Sequence, residues 1–214
     1  MTDRINYIVS FIPDCETFAD IGCDHGYVSY EMLKRNKCKK VIYSDISEKC
    51  LKKAKTLLAK YEELEMAKGV VCDGFDPSTN CDLALISGMG GKEIIKILSN
   101  RLNLPEKLVL SPQKNIEEVR AFVVKRGYHV DIDKTFYADG KFYDIMLLSK
   151  GNDKLTEDEI LFGRTNILER GKDFIAFLEH KIQSLKSYIV SEKMSQENRK
   201  KILKLVEDYA KYAK

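Results

Sequence analysis

Phe18-Ala19-Asp20-Ile21-Gly22-Cys23-Asp24-His25-Gly26 is the stretch on which the reading of this chain turns. Its apolar start, Phe18 to Gly22, suits a buried strand, and the residues from Tyr27 onward have the spacing of an amphipathic helix. A strand that passes through glycines into a helix is where a parallel α/β sheet lets its backbone approach a nucleotide or nucleoside. Asp24 occupies the middle position at which a dinucleotide loop of the form Gly-x-Gly-x-x-Gly carries glycine. The carboxylates of Asp20 and Asp24 also repel a pyrophosphate and attract an ammonium group. A tight turn with no ligand is the competing reading of the same glycines.

Working outward, Val41-Ile42-Tyr43-Ser44-Asp45 is a second strand, ending about 20 residues past the loop, where an acidic side chain accepts bonds from ribose hydroxyls. The alternative for Asp45 is a cap on the helix that follows, although Ser47 can take that role. Asp45 and its neighbour Ile46 are therefore placed on the cofactor side. Cys72-Asp73-Gly74 closes a third strand; an Asp there can accept from an exocyclic adenine amine, and Gly74 leaves room for the ring. The fourth strand, Leu83–Ser87, runs into Gly88-Met89-Gly90-Gly91, three glycines in four residues, which fits close approach of cofactor or substrate. The fifth ends in Ser111-Pro112-Gln113, where Gln113 offers an amide as a base-reading group. His25 either meets the substrate or cofactor carboxylate, or is an ordinary helix-start histidine. This charge pattern suits S-adenosylmethionine, which carries an α-ammonium, better than it suits a dinucleotide.

Between these strands lie helical stretches near Tyr27–Arg35, Glu48–Leu64, Lys92–Arg101 and Ile116–Arg126, with a short one at Arg4–Phe11. Tyr128–Tyr137 and Phe142–Ser149, joined by Ala138-Asp139-Gly140-Lys141, form a hairpin. The expected fold is α/β: a class I, Rossmann-like methyltransferase domain over residues 1–150, in which a mostly parallel sheet ends in an antiparallel hairpin. Residues 151–214 are expected to form a C-terminal α-helical coiled-coil hairpin. Thr156-Glu157-Asp158-Glu159 is a capping box for a long helix, within which Leu161, Leu168, Ile175, Ile182 and Ile189 recur every seven residues. Ser191–Ser195 supplies a turn, and Ile202, Val206, Tyr209 and Ala213 give a second stripe. That stripe provides an internal partner, so a monomer is expected; an intermolecular coiled coil is the alternative.

Composition narrows the classes. With 44% apolar and 32% charged residues in 214, and no apolar run long enough for a membrane span, a globular, cytoplasmic protein without membrane contact is expected. The N-terminus lacks a signal-peptide pattern. Six scattered cysteines contain no Cys-x-x-Cys and the three histidines do not join them, so reduced thiols and no metal site are expected. A net charge of +3 permits RNA as a partner without demanding it.

The loop Ala19 to Val28, the run Ile86-Ser87-Gly88-Met89-Gly90-Gly91, Leu110-Ser111-Pro112-Gln113 and Gly140-Lys141-Phe142-Tyr143 together resemble the TrmK family of bacterial tRNA methyltransferases. The likeness spans nearly the whole chain. Cys23 and Gly26 stand where the family often has another small residue, and Ser87 where Ala is frequent. The resemblance implies methylation of N1 of adenine 22 in the tRNA D-arm, with S-adenosylmethionine as cofactor, tRNA as partner and the C-terminal arm helping to hold it. It implies that Asp20, Gly22, Asp24, Gly26, Asp45, Ile46, Cys72, Asp73 and Gly74 bind the cofactor. His25, Ser87, Gly88, Met89, Gly90 and Gln113 are placed where methyl group and base meet. Adenine N1 has a free lone pair once unpaired, so the reaction needs alignment more than a strong base. The base must first be exposed, and Tyr27 or Tyr143 is a candidate to stack on it. Lysines 172, 181, 186, 193, 200, 201 and 204 of the arm are interspersed with acids, which by themselves read as a solvated face. The motifs do not by themselves name the acceptor: another RNA, a protein or a small molecule remains open, as does a non-catalytic RNA-binding protein.

Overall fold

The computed structural model describes residues 1–76, 80–191 and 195–213. Helix α1 (Asp3–Phe11) is followed by β1 (Cys15–Ile21), α2 (Tyr27–Lys34), β2 (Cys38–Asp45), α3 (Glu48–Glu63) and β3 (Ala67–Val71). Then come β4 (Leu83–Ser87), α4 (Gly91–Ser99), β5 (Lys107–Ser111), α5 (Ile116–Lys125), β6 (Tyr128–Ala138) and β7 (Lys141–Lys150). Four helices complete the chain: α6 (Glu157–Phe162), α7 (Arg164–Glu169), α8 (Lys172–Ser191) and α9 (Gln196–Tyr212).

The strands form one sheet in the order β3-β2-β1-β4-β5-β7-β6. β1 to β5 are parallel, and β7 pairs antiparallel with both β5 and β6. Successive residues of a strand leave by opposite faces, and the core divides accordingly. Phe18, Leu83, Leu85 and Val109 join Ile8, Met32, Leu33, Leu51 and Leu58 on the face covered by α1, α2 and α3. Ala19, Ile21, Ala84, Ile86, Leu108 and Leu110 join Ile94, Leu98, Val119 and Val123 on the face covered by α4 and α5. This is the doubly wound sheet read from the sequence, and the strand order reverses between β1 and β4, where such sheets open a crevice at their carboxyl ends.

The β6–β7 turn places Asp139 (φ 47°) and Gly140 (φ 79°) in the left-handed region, as a two-residue hairpin loop of the Asp-Gly kind requires. The Asp139 carboxylate accepts from the backbone N–H groups of Asp3 and Arg4, both at 3.2 Å, so the hairpin turn fastens the start of α1.

The expectation of one long helix from Thr156 is corrected. Thr156 and Glu159 do form the capping box, with bonds of 2.8 and 3.2 Å. The helix nevertheless stops after six residues at Gly163 (φ 88°), where an added Cβ would lie 2.7 Å from the Asp133 carboxylate. A second break follows at Arg170, in the left-handed region at φ 49°. Leu161 and Leu168 thus sit on α6 and α7, Leu168 being 75% exposed, and only Ile175, Ile182 and Ile189 of the seven-residue series share α8. The helical hairpin is α8 with α9. Its root packs Phe162, Phe174 and Leu178 against Tyr209 and Tyr212, and Arg170 donates to the Tyr212 carbonyl at 3.1 Å. Of the turn expected over Ser191–Ser195, residues 192–194 lie outside the described residues; Ser195 caps α9 by accepting from the Asn198 N–H.

Beneath α6 and α7 lies a buried polar joint. Arg120 and Asp133, each 1% exposed in their side chains, pair at 3.0 Å. Arg120 also donates to the carbonyls of Ile160 and Leu161, and Asp133 accepts from the Thr165 N–H at 2.8 Å. Asn166 bonds Thr135 and Phe162. Every partner is satisfied, so the short helices are keyed to α5 and β6 in one register.

Candidate functional site

Where β1 ends, Gly22 (φ 70°), Asp24 (φ 50°) and Gly26 (φ 73°) turn the chain sharply into α2. The turn is held by Cys23 N–H donating to the Ser44 carbonyl and Asp24 N–H donating to the Asp45 carboxylate at 3.0 Å. A Cβ on Gly22 would lie 1.9 Å from the Met89 methyl, so the β4 loop lies directly over the β1 loop. Around this contact is a cavity of about 330 Å³ lined by Asp20, Gly22, Asp24, His25, Ser87, Gly88, Met89 and Gln113, among others. Eight of the residues singled out by sequence therefore share one enclosure. Gln113 is placed by its N–H, which donates to the Met89 carbonyl at 2.8 Å.

A second group lies on an open shelf beside the cavity. The Asp45 carboxylate accepts from the N–H groups of Asp24 and Ser47, and Ser47 itself caps α3 by accepting from Cys50. Asp45 is thus held by backbone and is not the cap. Ile46 is 70% exposed beside it. Cys72 N–H donates to the Asp45 carbonyl, which joins the 72–74 loop to the shelf, and Asp73 is exposed and pairs with Lys96 at 3.4 Å.

Two glycines have reasons other than a ligand. The Cβ direction of Gly26 points at Ala54 of α3, 2.9 Å away. That of Gly91 meets the carbonyls of Lys114 and Asn115 at 2.8 and 2.7 Å, so the last glycine of the cluster serves packing. Gly90 faces Lys114 and Gly88 faces Arg4 at longer range, 3.2 and 3.4 Å.

Burial dominates the electrostatics. Asp20 is 4% exposed, and desolvation, assisted by the nearby Asp45 charge, pushes its carboxyl up to about 6 despite a bond from the Ser29 hydroxyl at 2.7 Å. His25 Nε2 is 2.9 Å from Lys53 Nζ. An ammonium can only donate, so Nε2 is the acceptor and the ring proton sits on Nδ1, 3.7 Å from the Asp24 carboxylate. Tyr27, 46% exposed, lines the cavity, whereas Tyr143 is stacked on Phe136 at 5.5 Å outside it. Desolvation raises the thiols of Cys15 and Cys38 to about 12 and Cys81 to about 11, leaving them protonated.

Sequence reading missed the wall supplied by α1: Arg4, Ile5 and Ile8 line the same cavity. It also missed Ser29 beneath Asp20 and Lys53 on His25. The signal for Arg4 was present, since it stands four residues before Ile8 and so shares the apolar stripe of its helix.

Residues 1–146 match the family model described as a methyltransferase domain. A Mycoplasma pneumoniae protein provisionally named a tRNA methyltransferase is 34% identical over 172 residues, covering 76% of this chain and 79% of its own. The tRNA (adenine(22)-N(1))-methyltransferase of Bacillus subtilis is 26% identical over 168 residues, 75% and 69% of the two chains, and the solved structure of B. subtilis TrmK superposes with a TM-score of 0.85 at 22% identity. That superposition covers 100% of this chain and 99% of the other. This chain belongs to the methyltransferase family. A second solved structure, from Streptococcus pneumoniae and provisionally of a tRNA (m1A22) methyltransferase, holds S-adenosyl-L-methionine; it matches with a TM-score of 0.89, 21% identity and full coverage of both chains. The fold shared with these two structures extends through the α8–α9 hairpin, since both superpositions span the whole chain.

Proposed function

We propose that this chain transfers the methyl group of S-adenosylmethionine to N1 of adenine 22 in the D-arm of tRNA, acting in the cytoplasm as a monomer whose α8–α9 hairpin closes on itself. The observation that carries the reading is the joining of an acid-floored cavity at the β1–β4 reversal to the Asp45 shelf, in a chain of this family. The residues present fit the cofactor: Asp20 and Asp24 face the cavity, the Gly22 position admits no Cβ, and Ile46 offers an apolar face on the shelf.

When bound, the cofactor supplies an electrophilic sulfonium methyl. Asp20 and Asp24 then receive its ammonium, Asp45 the ribose hydroxyls, and Ile46, Cys72, Asp73 and Gly74 border the adenine. Gly22 makes room for the Met89 side chain that lies over the β1 loop, while Gly26 acts one step back by seating α2 on α3. Ser87, Gly88, Met89, Gly90, His25 and Gln113 surround the meeting point, with Tyr27 positioned at the mouth to stack on an extruded base. Adenine N1 attacks with its own lone pair, so no proton has to be removed first. That agrees with a His25 whose Nε2 is already occupied by Lys53. The chain's contribution is alignment and a fixed electrostatic setting. Incubation with methyl-labelled donor and unmodified tRNA tests the proposal: label on tRNA is expected, and none on tRNA adenine refutes it.

A further inference from the structure

One charged side chain in the cavity has no carboxylate or hydrogen-bonding partner for its guanidinium among the described residues. The Arg4 Nε is buried and makes no hydrogen bond, and no ion pair joins Arg4 to a carboxylate among the described residues. Nε–H is one of the five guanidinium donors, and leaving it dry and unpaired costs free energy unless a ligand completes it. The group is nonetheless held in place. Its backbone N–H is fastened by Asp139, its Cζ lies 5.0 Å over the Tyr143 ring, and its terminal nitrogen lies near Gly88. Tyr143 is in turn stacked on Phe136, which is stacked on Tyr7 of α1 at 3.9 Å. An aromatic column therefore supports a cation that meets no carboxylate among the described residues.

We infer that Arg4 binds the carboxylate of the methyl donor's amino-acid end, an inference that rests on the cofactor reading above. The cavity is lined on one side by Asp20 and Asp24 and on another by Arg4; among its described lining residues the one other group able to carry positive charge, His25, has its Nε2 engaged by Lys53 at 2.9 Å. An amino-acid zwitterion is the ligand complementary to that pattern: ammonium to the acids, carboxylate to the guanidinium. A phosphate of the RNA backbone is a poorer match, because phosphates lie on the solvated outside of the nucleic acid and the Arg4 Nε is closed to solvent. Arg4 is thus a cofactor-binding residue contributed by the N-terminal helix, and the hairpin turn that fastens α1 is part of the cofactor site.

Calorimetry on the intact protein separates this from its rivals. Wild type is titrated with S-adenosylmethionine and with its decarboxylated analogue, which keeps the ammonium and loses the carboxylate. The analogue is expected to bind wild type roughly ten- to a hundredfold more weakly, in line with loss of a charge-assisted contact. Arg4→Gln is expected to weaken S-adenosylmethionine by a similar factor and to leave the analogue nearly unchanged, with Arg4→Lys between. Equal weakening of both ligands by Arg4→Gln overturns the inference in favour of a structural role. Unchanged donor affinity with a raised KM for tRNA overturns it in favour of the acceptor. The comparison of the two ligands on wild type needs no variant, so misfolding of Arg4→Gln does not shield the idea. Failure of wild type to bind either ligand refutes the cofactor reading itself, a different outcome from all of these.

Discussion

Asp20 is the residue on which pH acts. Its carboxyl titrates at about 6 because burial disfavours the charge. Between the ordinary carboxylate range and 6 the folded chain holds a proton that the unfolded chain has lost, so stability falls as pH rises through that window. At about 1.4 kcal/mol per pH unit the total is about 3 kcal/mol, and thermal unfolding from pH 4 to 7 without ligand should show it, with Asp20→Asn flattening the fall. Donor binding runs the other way. An ammonium recruits the ionised carboxylate, so affinity should rise from pH 5 to 7 and level above, and Asp20→Asn should bind more weakly with little pH dependence. Asp24 and His25 line the same cavity and Asp45 lies beside it, which is why the variant is needed to assign the effect to Asp20. The two loop acids were legible in the sequence because they follow a strand directly. Arg4 was not placed, since a residue 16 positions upstream of Asp20 reaches the cavity only through the packing of α1. Gly91 shows the opposite limit: glycine density announced a close approach, but only the fold says that the approaching group is the backbone before α5.

At the scale of elements, the strands and helices through Lys150 were legible because short continuous apolar runs bounded by glycine and proline mark strands of a sheet covered on both faces, and 3.6-residue stripes mark the helices that cover it. The seven-residue series after Thr156 misled for a physical reason. A periodic stripe survives on paper across Gly163 and Arg170, whereas the chain must bend there to lay α6 and α7 over the Arg120–Asp133 pair. That buried pair makes the joint sensitive to loss of either charge. Asp133→Leu leaves a buried guanidinium without its carboxylate and is expected to cost about 3–5 kcal/mol in urea unfolding. Arg120→Met combined with Asp133→Leu should cost clearly less, since no lone charge stays behind. Equal losses for the single and double variants would show that packing, not charge pairing, holds the joint.

For the whole molecule, the joint dictates how the arm is tested. Cutting the chain after Gly151 would strip α6 and α7 from a buried ion pair, so lost tRNA binding would say nothing about the arm. Replacing residues 183–205 by a short flexible linker keeps Phe174, Leu178, Tyr209 and Tyr212 at the root and removes Lys186, Lys193, Lys200, Lys201 and Lys204. If the arm holds tRNA, affinity for tRNA falls by roughly tenfold with a shallower salt dependence, while donor affinity stays as in wild type. Unchanged tRNA affinity assigns those lysines to a solvated face. The acceptor atom is the part of the account that neither sheet nor cavity specifies, and it is tested most directly by mass spectrometry of tRNA nucleosides after reaction with S-adenosylmethionine. The account predicts 1-methyladenosine on unmodified tRNA and none when adenine 22 is replaced by guanine. Methylation of another base or atom, equal product from the substituted tRNA, or no methylated nucleoside at all would contradict it.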